Sequence, residues 1–223
     1  MKKTKEAVAF AAAELIQDGM IVGLGSGTTA TCFIRSLIQR CRKGLTIQAV
    51  GSSHRSLQLA KEGGIPVTDL DKVSYVDITV DGADEIDPKK RMIKGRGGAH
   101  VREKILASAS KELIIIVDET KLVEKLGKGK LPIEVLPFGH LFTEKKLKKK
   151  GYLGKWRLAK DGAYYQTDNG NFLFDITFPH PLNRPEDEEE KILKIPGVVD
   201  TGFFFHLAGR LLVGYKNGKV EIQ

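Results

Sequence analysis

Short apolar runs alternate with amphipathic stretches through the first half of the chain. The apolar, β-branched runs predict buried strands at residues 20–24, 46–50, 65–67, 75–80 and 112–117. Between them, apolar residues recur at helical spacing and predict helices at residues 3–18, 30–41 and 53–62. Because strands and helices follow one another in turn, this pattern predicts an α/β fold with a doubly wound, mostly parallel sheet.

The pattern changes at residues 131–137, where the sequence Leu-Pro-Ile-Glu-Val-Leu-Pro begins a series of shorter elements. They predict a helix at residues 140–150, strands at 156–158, 163–166 and 172–176, and an Asn-Gly turn at 167–170. A further helix begins at Pro185 with five acidic residues and ends with lysines, an order that complements the helix dipole. We therefore predict a second, smaller unit of antiparallel α+β type.

A loop of small residues follows the first predicted strand. The segment Gly25-Ser-Gly-Thr-Thr29 leads into the helix predicted from residue 30, and a helix N-terminus favours anions through its dipole and free N–H groups. The hydroxyls of Ser26, Thr28 and Thr29 are additional donors. The loop has neither the third glycine of a dinucleotide fingerprint nor the Gly-Lys-Ser/Thr of a P-loop. We predict a site for a phosphate monoester here, with a tight turn that binds no ligand as the alternative.

Four acidic residues follow the strand predicted at 75–80. They lie in Asp81-Gly-Ala-Asp-Glu-Ile-Asp87, directly after the last apolar residue of that strand. In open α/β sheets ligands bind outside the carboxyl ends of the strands, so we expect Asp81 and Asp84 to face the binding crevice. Gly82 allows a sharp turn between them. Taken singly, each of these carboxylates is as well explained by a solvated turn.

A glycine-rich turn and a helix come next. Lys94 precedes three glycines, at positions 95, 97 and 98, whose backbone N–H groups are open to a ligand. Val101, Ile105 and Ala109 then recur at helical spacing, and Glu103 falls outside that apolar stripe. We therefore expect Lys94 and Glu103 to converge over the turn, where a lysine can stabilise negative charge and a glutamate can move a proton.

Composition narrows the class of protein. The chain has 223 residues, of which 41% are hydrophobic and 29% charged, as is typical of a globular protein with a sizeable core. The sequence has no apolar run of membrane-spanning length and no apolar secretory signal, so we expect a cytoplasmic protein without a membrane partner. Cys32 and Cys41 share one predicted helix and are too far apart along it for a disulfide. Because no metal-ligand motif is present, we expect neither a metal nor a cofactor.

The net charge of +8 predicts an anionic partner, either a phosphorylated small molecule or a nucleic acid. Much of the positive excess lies in a basic run at residues 145–157, in which Tyr152 and Trp156 are interleaved. Basic residues interleaved with aromatic ones are also found in nucleic-acid-binding proteins. Because the run is far in sequence from Lys94 and Glu103, we favour a solvated helix face and expect no nucleic-acid partner.

Six segments carry a resemblance to a known family. In chain order they are GLGSGTTA, DGADEID, KGRGGAHVREKI, LPIEVLP, TDNGN and PGVVDTGFF. Together they resemble type A ribose-5-phosphate isomerases along the whole chain. The resemblance implies a Rossmann-like catalytic domain at residues 1–130 and 200–223, with a smaller α+β domain inserted at 131–199. It also implies interconversion of ribose 5-phosphate and ribulose 5-phosphate, in the non-oxidative pentose phosphate pathway, by a homodimer or homotetramer.

The resemblance also assigns roles to individual residues. Glu103 would be the base that moves a proton between C1 and C2, Lys94 would stabilise the enediolate, and Asp81 with Asp84 would assist ring opening and hold sugar hydroxyls. The other implied substrate-binding positions are Lys5, Ser26, Gly27, Thr28, Thr29, Gly82, Ala83, Gly95, Arg96, Gly97 and Lys121. Arg96 and His100 depart from the family pattern, which commonly has glycine and a larger aliphatic residue there. Arginine adopts positive φ less readily than glycine, so the use of the Arg96 backbone stays open.

Three other functions stay open at this point. A sugar-phosphate sensor on the same kind of fold would keep the phosphate loop but has no need of Glu103 beside Lys94. A nucleic-acid-binding protein would use the basic run, and its binding would depend steeply on salt. An amino-sugar-phosphate deaminase is a neighbouring activity, which the paired acidic and glycine-rich motifs do not support.

Overall fold

The computed structural model of the protein describes residues 2–223. Its helices are α1 (Lys2–Glu14), α2 (Gly27–Cys41), α3 (His54–Glu62), α4 (His100–Ser108), α5 (His140–Lys149) and α6 (Pro185–Leu193). Its strands are β1 (Ile21–Leu24), β2 (Gln48–Gly51), β3 (Val76–Asp81), β4 (Glu85–Ile86), β5 (Met92–Ile93), β6 (Ser110–Asp118), β7 (Lys130–Val135), β8 (Gly154–Trp156), β9 (Phe172–Thr177), β10 (Val198–Thr201), β11 (Phe203–Phe204), β12 (Ala208–Gly214) and β13 (Val220–Ile222).

The chain divides into two compact units. The large unit comprises the chain up to Ala83, Arg102–Leu122 and His206–Gln223. The small unit comprises Asp84–Val101 and Val123–Phe205. The chain therefore passes from the large unit to the small one twice and returns after each passage.

A six-stranded sheet forms the centre of the large unit. Its strand order is β13-β12-β6-β3-β1-β2, and each neighbouring pair is parallel except β12 with β13. Val22, Val80 and Ile114 are fully buried in it, as expected of near-continuous apolar strands covered on both faces. The prediction of a doubly wound, mostly parallel α/β sheet is confirmed.

A four-stranded antiparallel sheet, in the order β10-β7-β9-β8, forms the centre of the small unit. Leu131, Ile133 and Phe174 are fully buried in its core. The helix α6 begins with Pro185 and an acidic first turn, as the sequence predicts. The small unit is therefore of antiparallel α+β type.

The division differs from the predicted one in residues 84–101, 123–130 and 200–205, which belong to the small unit. There β4 and β5 form a three-stranded antiparallel sheet with β11. The carboxylate of Glu85 also accepts the N–H groups of Gly127 at 2.8 Å, Lys128 at 3.3 Å and Gly129. These contacts join segments that are distant in sequence, so the local pattern of residues did not indicate them.

Two predicted strands are wrong in detail. Residues 65–67 and 163–166 form only isolated bridges to neighbouring segments. In the first segment, Pro66 has no N–H to donate to a ladder. Near the second, the side chain of Asp161 accepts the N–H of Ala163 at 3.1 Å, so the backbone there closes a turn.

One fully buried carboxylate, that of Glu134 in β7, holds the Asn-Gly turn. Its Oε1 accepts hydrogen bonds from the Thr167 hydroxyl at 3.1 Å, the Asn169 amide at 2.9 Å and the Asn171 amide at 2.8 Å. Its Oε2 has no hydrogen-bond partner among residues 2–223. Two segments that the sequence analysis treated separately thus form one buried polar network.

We expect Glu134→Ala to lower the free energy of unfolding by about 3 kcal/mol or more, because three buried donors lose a charged acceptor. Glu134→Gln keeps an oxygen at the position of Oε1 and should cost roughly 1 kcal/mol. Urea unfolding monitored by circular dichroism measures both values. Equal losses in the two variants would contradict the assignment of this stability to the Oε1 hydrogen bonds.

Candidate active site

The carboxyl end of β1 leads directly into α2. This helix begins at Gly27, three residues earlier than predicted, so residues 27–29 form its first turn. The hydrophobic pattern did not indicate this start, because the first buried residue of the helix is Ala30. Lys5 of α1 donates from Nζ to the Thr28 hydroxyl at 2.8 Å. A lysine and a helix N-terminus therefore lie side by side, an arrangement that favours phosphate.

Asp81 is the last residue of β3 and is almost completely buried. Its Oδ1 accepts the N–H of Ser26 at 3.1 Å and that of Gly82 at 2.7 Å. Gly25 lies against the same carboxylate, since a Cβ added there would come within 2.2 Å of the Asp81 Cγ. The ends of the neighbouring strands β1 and β3 thus fix the orientation of the Asp81 side chain.

Gly25→Ala is expected to displace the Asp81 carboxylate and break both of its backbone hydrogen bonds. The added methyl group has no room, so we expect a loss of about 1–3 kcal/mol in unfolding free energy and a loss of activity with it. The control is Gly44→Ala, where a Cβ meets nothing within 4 Å and the cost arises only from a φ of 111°. Thermal unfolding and steady-state kinetics test the pair, and full activity in a folded Gly25→Ala protein would contradict the expectation.

Glu103 lies in the first turn of α4 and is 5% exposed. The hydroxyl of Ser26 donates a hydrogen bond to its Oε1. The predicted apolar stripe of this helix is wrong, because Ile105 is 52% exposed whereas Leu106 and Ala107 are buried together with Glu103. Glu103 falls outside the predicted stripe, as expected, but its burial was not predicted, because a hydrophobic pattern does not identify a charged residue on the buried face of a helix.

Lys121 lies in a short 3₁₀ turn, Glu119–Lys121, after β6. The Asp118 side chain begins that turn by accepting the Thr120 N–H at 3.1 Å. Lys121 is half-buried. It follows the carboxyl end of the parallel strand β6, and its binding role stays a prediction.

Lys94 belongs to the small unit and is 3% exposed. Its backbone N–H donates to the Gly202 carbonyl at 2.8 Å. Its Nζ lies 5.3 Å from the centroid of the Phe204 ring, a distance at which the ring face attracts the ammonium group. Gly202, directly before β11, and Phe204, within β11, therefore help to hold this lysine.

The glycine-rich turn after Lys94 uses positive φ at Gly95 (102°) and Gly98 (81°). Arg96 is not in the left-handed region, since the non-glycine residues with positive φ within residues 2–223 are Lys90 and His206. The backbone at position 96 therefore accepts an arginine without strain, and the side chain is exposed. The Arg96 N–H donates to Oδ2 of Asp84 at 2.9 Å.

His100 begins α4 and is completely buried. It lies directly beside the turn, because a Cβ added to Gly95 would come within 2.8 Å of the His100 Nδ1. The imidazole thus occupies space that a side chain at position 95 would need. This packing indicates a structural role for His100.

The matching family model is described as ribose 5-phosphate isomerase A (phosphoriboisomerase A), and it covers residues 48–218. The ribose-5-phosphate isomerase A of Protochlamydia amoebophila (strain UWE25) is 51% identical over 220 residues, which are 99% of this chain and 95% of that protein. The chain belongs to the ribose 5-phosphate isomerase A family. It is an isomerase.

Solved structures of the ribose 5-phosphate isomerase family have the same fold. The enzyme of Plasmodium falciparum matches with a TM-score of 0.95 and 37% identity, over 100% of this chain and 98% of that one. A D-ribose-5-phosphate isomerase solved in complex with phospho-erythronic acid matches with a TM-score of 0.95 and 36% identity, over the same shares of the two chains.

Within each of the two units, hydrogen bonds join several of the predicted site residues to one another. The large-unit group joins Lys5 to Thr28, and Ser26 to both Asp81 and Glu103. The small-unit group joins Asp84 to Arg96 through the turn that begins at Lys94. Gly82 contributes its N–H to the first group. Ala83 is the last large-unit residue before Asp84 and is half-buried.

Two residues that were not predicted from the sequence hold the turn of this ribose 5-phosphate isomerase family member. Arg157 donates to the carbonyls of Gly95 and Arg96 at 3.1 and 3.0 Å. The hydroxyl of Tyr165 donates to the carbonyl of Gly97 at 3.3 Å. Arg157 was attributed only to the basic run, and no local signal links it to a turn so far away in sequence.

The aromatic residues of the basic run are engaged within the small unit. Tyr152 is buried, and its hydroxyl donates to the Glu188 carboxylate at 2.8 Å. Burial, followed by that hydrogen bond, raises the pKa of the Tyr152 hydroxyl. The indole N–H of Trp156 donates to Glu144 at 2.8 Å, and its ring packs against other aromatic rings. The rings of Tyr152 and Trp156 therefore do not form an exposed surface on which nucleic-acid bases could stack.

A shallow cavity of about 450 Å³ lies among the lysines of the small unit, and Lys146, Lys149, Lys150 and Lys194 line it. These lysines stand at the C-terminal ends of α5 and α6. Positive charge there complements the negative ends of the two helix dipoles. The cluster thus has a structural explanation that needs no ligand.

Two features are absent from residues 2–223. No group of three or more His, Cys, Asp or Glu side chains there is arranged to hold a metal ion. No helix in that part of the chain is both long enough and apolar enough to cross a membrane.

Proposed function

We propose that this isomerase interconverts D-ribose 5-phosphate and D-ribulose 5-phosphate by moving a proton between C1 and C2 of the open-chain sugar. The observation that carries the proposal is the buried carboxylate of Glu103, which accepts a hydrogen bond from Ser26 at the start of α2. A base thus lies beside a helix N-terminus suited to an anion. Such a pair suits a phosphorylated substrate from which a proton is removed.

In this proposal Glu103 removes the proton from C2 of ribose 5-phosphate. The electrons left behind form an enediolate across C1 and C2. The hydroxyl proton on O2 passes to O1, and return of the proton from Glu103 to C1 gives ribulose 5-phosphate with its carbonyl group at C2. The Ser26 hydroxyl fixes the orientation of the carboxylate, and burial excludes bulk water from it. A base that is already oriented raises the reaction rate, because its carboxylate is held in position for proton transfer.

Lys94 is assigned to the negative charge of the enediolate. Burial of Lys94 strengthens the attraction between its ammonium group and the enediolate, because charge is screened less in a low-dielectric environment than in water. Asp81 and Asp84 are assigned to ring opening and to the sugar hydroxyls. The phosphate is assigned to the first turn of α2 with Thr28, Thr29 and Lys5, and Lys121 with the turn at residues 95–97 completes the predicted substrate contacts.

The complex of a structural neighbour supports this assignment. Phospho-erythronic acid, named in that complex, has a phosphate at one end and a carboxylate at the other. A planar carboxylate carries its two oxygens much as an enediolate does. A ligand of this kind therefore suits a site that stabilises an enediolate of a sugar phosphate.

Assembly and pathway are carried over from the resemblance, and location from the sequence analysis. We propose that the protein is a homodimer or homotetramer, and the exposed apolar side chains of Phe138 (95%) and Phe142 (70%) support self-association. Light scattering after gel filtration would give two or four times the chain mass, and a monomer would contradict the proposal. A cytoplasmic location and a role in the non-oxidative pentose phosphate pathway stay predictions.

The direct test is conversion of ribose 5-phosphate by the purified protein in buffer that contains EDTA. Turnover under these conditions would support an isomerase that needs no added metal. A protein that binds ribose 5-phosphate without converting it would favour the sugar-phosphate sensor. Binding of nucleic acid with a steep salt dependence would favour the use of the basic run.

Arg96 is expected to contribute to substrate binding. Its side chain is exposed on the turn that follows Lys94, and a guanidinium there attracts an anionic substrate. We expect Arg96→Gly to raise KM by about threefold to tenfold and to leave kcat nearly unchanged, since an exposed charge contributes about 1 kcal/mol. Steady-state kinetics decides the matter, and an unchanged KM would rule out a binding role.

A further inference from the structure

The carbonyl groups of three consecutive residues in the glycine-rich turn are held from one side. Arg157 donates from Nη1 to the carbonyls of Gly95 and Arg96, and Tyr165 donates to that of Gly97, at 3.0–3.3 Å. The Tyr165 ring also packs against Gly98, where an added Cβ would come within 2.7 Å of it. Because this turn directly follows Lys94, the backbone position of Lys94 depends on these contacts.

Arg157 is itself fixed by a second partner. Its Nε and Nη2 donate to the two carboxylate oxygens of Asp175 at 3.1 and 2.5 Å. The two side chains are only 18% and 10% exposed. A planar guanidinium bonded to both oxygens of a largely buried carboxylate has little freedom to rotate, so Nη1 stays directed at the turn.

The carbonyl contacts also set the direction of the neighbouring N–H groups. In a trans peptide the C=O of one residue and the N–H of the next point in opposite directions. The bond from Arg157 to the Gly95 carbonyl therefore directs the Arg96 N–H away from Arg157, and that N–H donates to Asp84 at 2.9 Å. One guanidinium thus fixes both the turn after Lys94 and a hydrogen bond to Asp84.

We propose that Arg157, braced by Asp175, is a positioning residue that holds Lys94 and Asp84 in the geometry that isomerisation requires. This inference rests on the proposed function, because Arg157 supports the roles that are assigned there to Lys94 and Asp84. Arg157 acts through the backbone of the turn. Its effect therefore falls on kcat more than on KM.

The test is Arg157→Lys in the full-length protein. A lysine keeps the charge but cannot bond to two carbonyls and both oxygens of a carboxylate at once. We expect kcat for ribose 5-phosphate to fall about 10- to 100-fold, with KM changed less than about threefold. Hydrogen–deuterium exchange of the amides at residues 95–98 should become faster, while the circular dichroism spectrum keeps its wild-type form.

Arg210→Lys is the matched control. Arg210 donates to both oxygens of Glu112 at 2.7 Å in the large unit, far in sequence from the turn. The Arg210→Lys protein should have the kcat of the wild type and the same rate of hydrogen–deuterium exchange at the amides of residues 95–98. If Arg157→Lys does not fold, Asp175→Asn loosens the same guanidinium and should show the same pattern to a smaller degree.

The outcomes separate this inference from the proposed function. A folded Arg157→Lys protein with wild-type kcat and wild-type exchange at residues 95–98 overturns the inference, as does an equal kcat loss in Arg210→Lys. If the wild type does not convert ribose 5-phosphate, the proposed function fails, and the exchange measurement alone then decides whether Arg157 holds the turn.

Discussion

Glu103→Gln is expected to lower kcat for ribose 5-phosphate by about two to four orders of magnitude, the usual contribution of a general base. Glutamine has the shape of glutamate but cannot accept a proton at neutral pH. Its amide oxygen can still accept the hydrogen bond from Ser26, so the fold and the melting temperature should change little. Stopped and continuous assays of ribulose 5-phosphate formation measure the loss.

Glu112→Gln is the control for a change from glutamate to glutamine. Glu112 lies in β6 and pairs with Arg210, whose hydrogen bonds lower the pKa of that carboxyl. The control should leave kcat within about twofold of the wild type, since general-base catalysis is assigned to Glu103 alone. Retention of wild-type kcat by Glu103→Gln would remove Glu103 from the role of base.

Lys94→Ala is expected to lower kcat by about 100- to 1000-fold, because the enediolate would lose a positive charge in a buried environment. The effect should fall on kcat more than on KM, since the charge of the enediolate develops only during the reaction. Added methylammonium should restore part of the activity by occupying the space that the lysine side chain leaves.

Lys111→Ala is the matched control for the loss of a lysine. Lys111 pairs with Asp77 at 2.9 Å near the opposite ends of β3 and β6 from the strand end at Asp81. The Lys111→Ala protein should keep wild-type activity both with and without methylammonium. A Lys94→Ala protein that is folded and fully active would contradict the assignment of Lys94 to the enediolate.

The chain order of strands and helices was enough to predict the fold class. Buried parallel strands are nearly continuous apolar runs, so β1, β3 and β6 stand out in the sequence. The sheet order was not accessible in the same way. Ser26 contacts Asp81 because β1 lies between β2 and β3, and no local pattern specifies which strands are neighbours.

The candidate residues were recognisable from composition, but their environment was not. Glu103 carries a charge, so a hydrophobic pattern assigns it to the exposed face of α4, whereas it is buried and bonded to Ser26. Arg157 lies in a run of basic residues whose composition indicates a solvated face. Its contacts with residues 95 and 96 depend on strand pairing between distant segments, which only the folded chain brings about.

The most direct test of the account is isomerisation of ribose 5-phosphate in D₂O, monitored by proton NMR with the wild type and Glu103→Gln side by side. Transfer through an enediolate passes the C2 proton to a base, so deuterium should appear at C1 of ribulose 5-phosphate to the extent that this proton exchanges with solvent before its return. Glu103→Gln should form almost no product. Formation of ribulose 5-phosphate by folded Glu103→Gln at the wild-type rate, with or without deuterium at C1, would contradict proton transfer by Glu103.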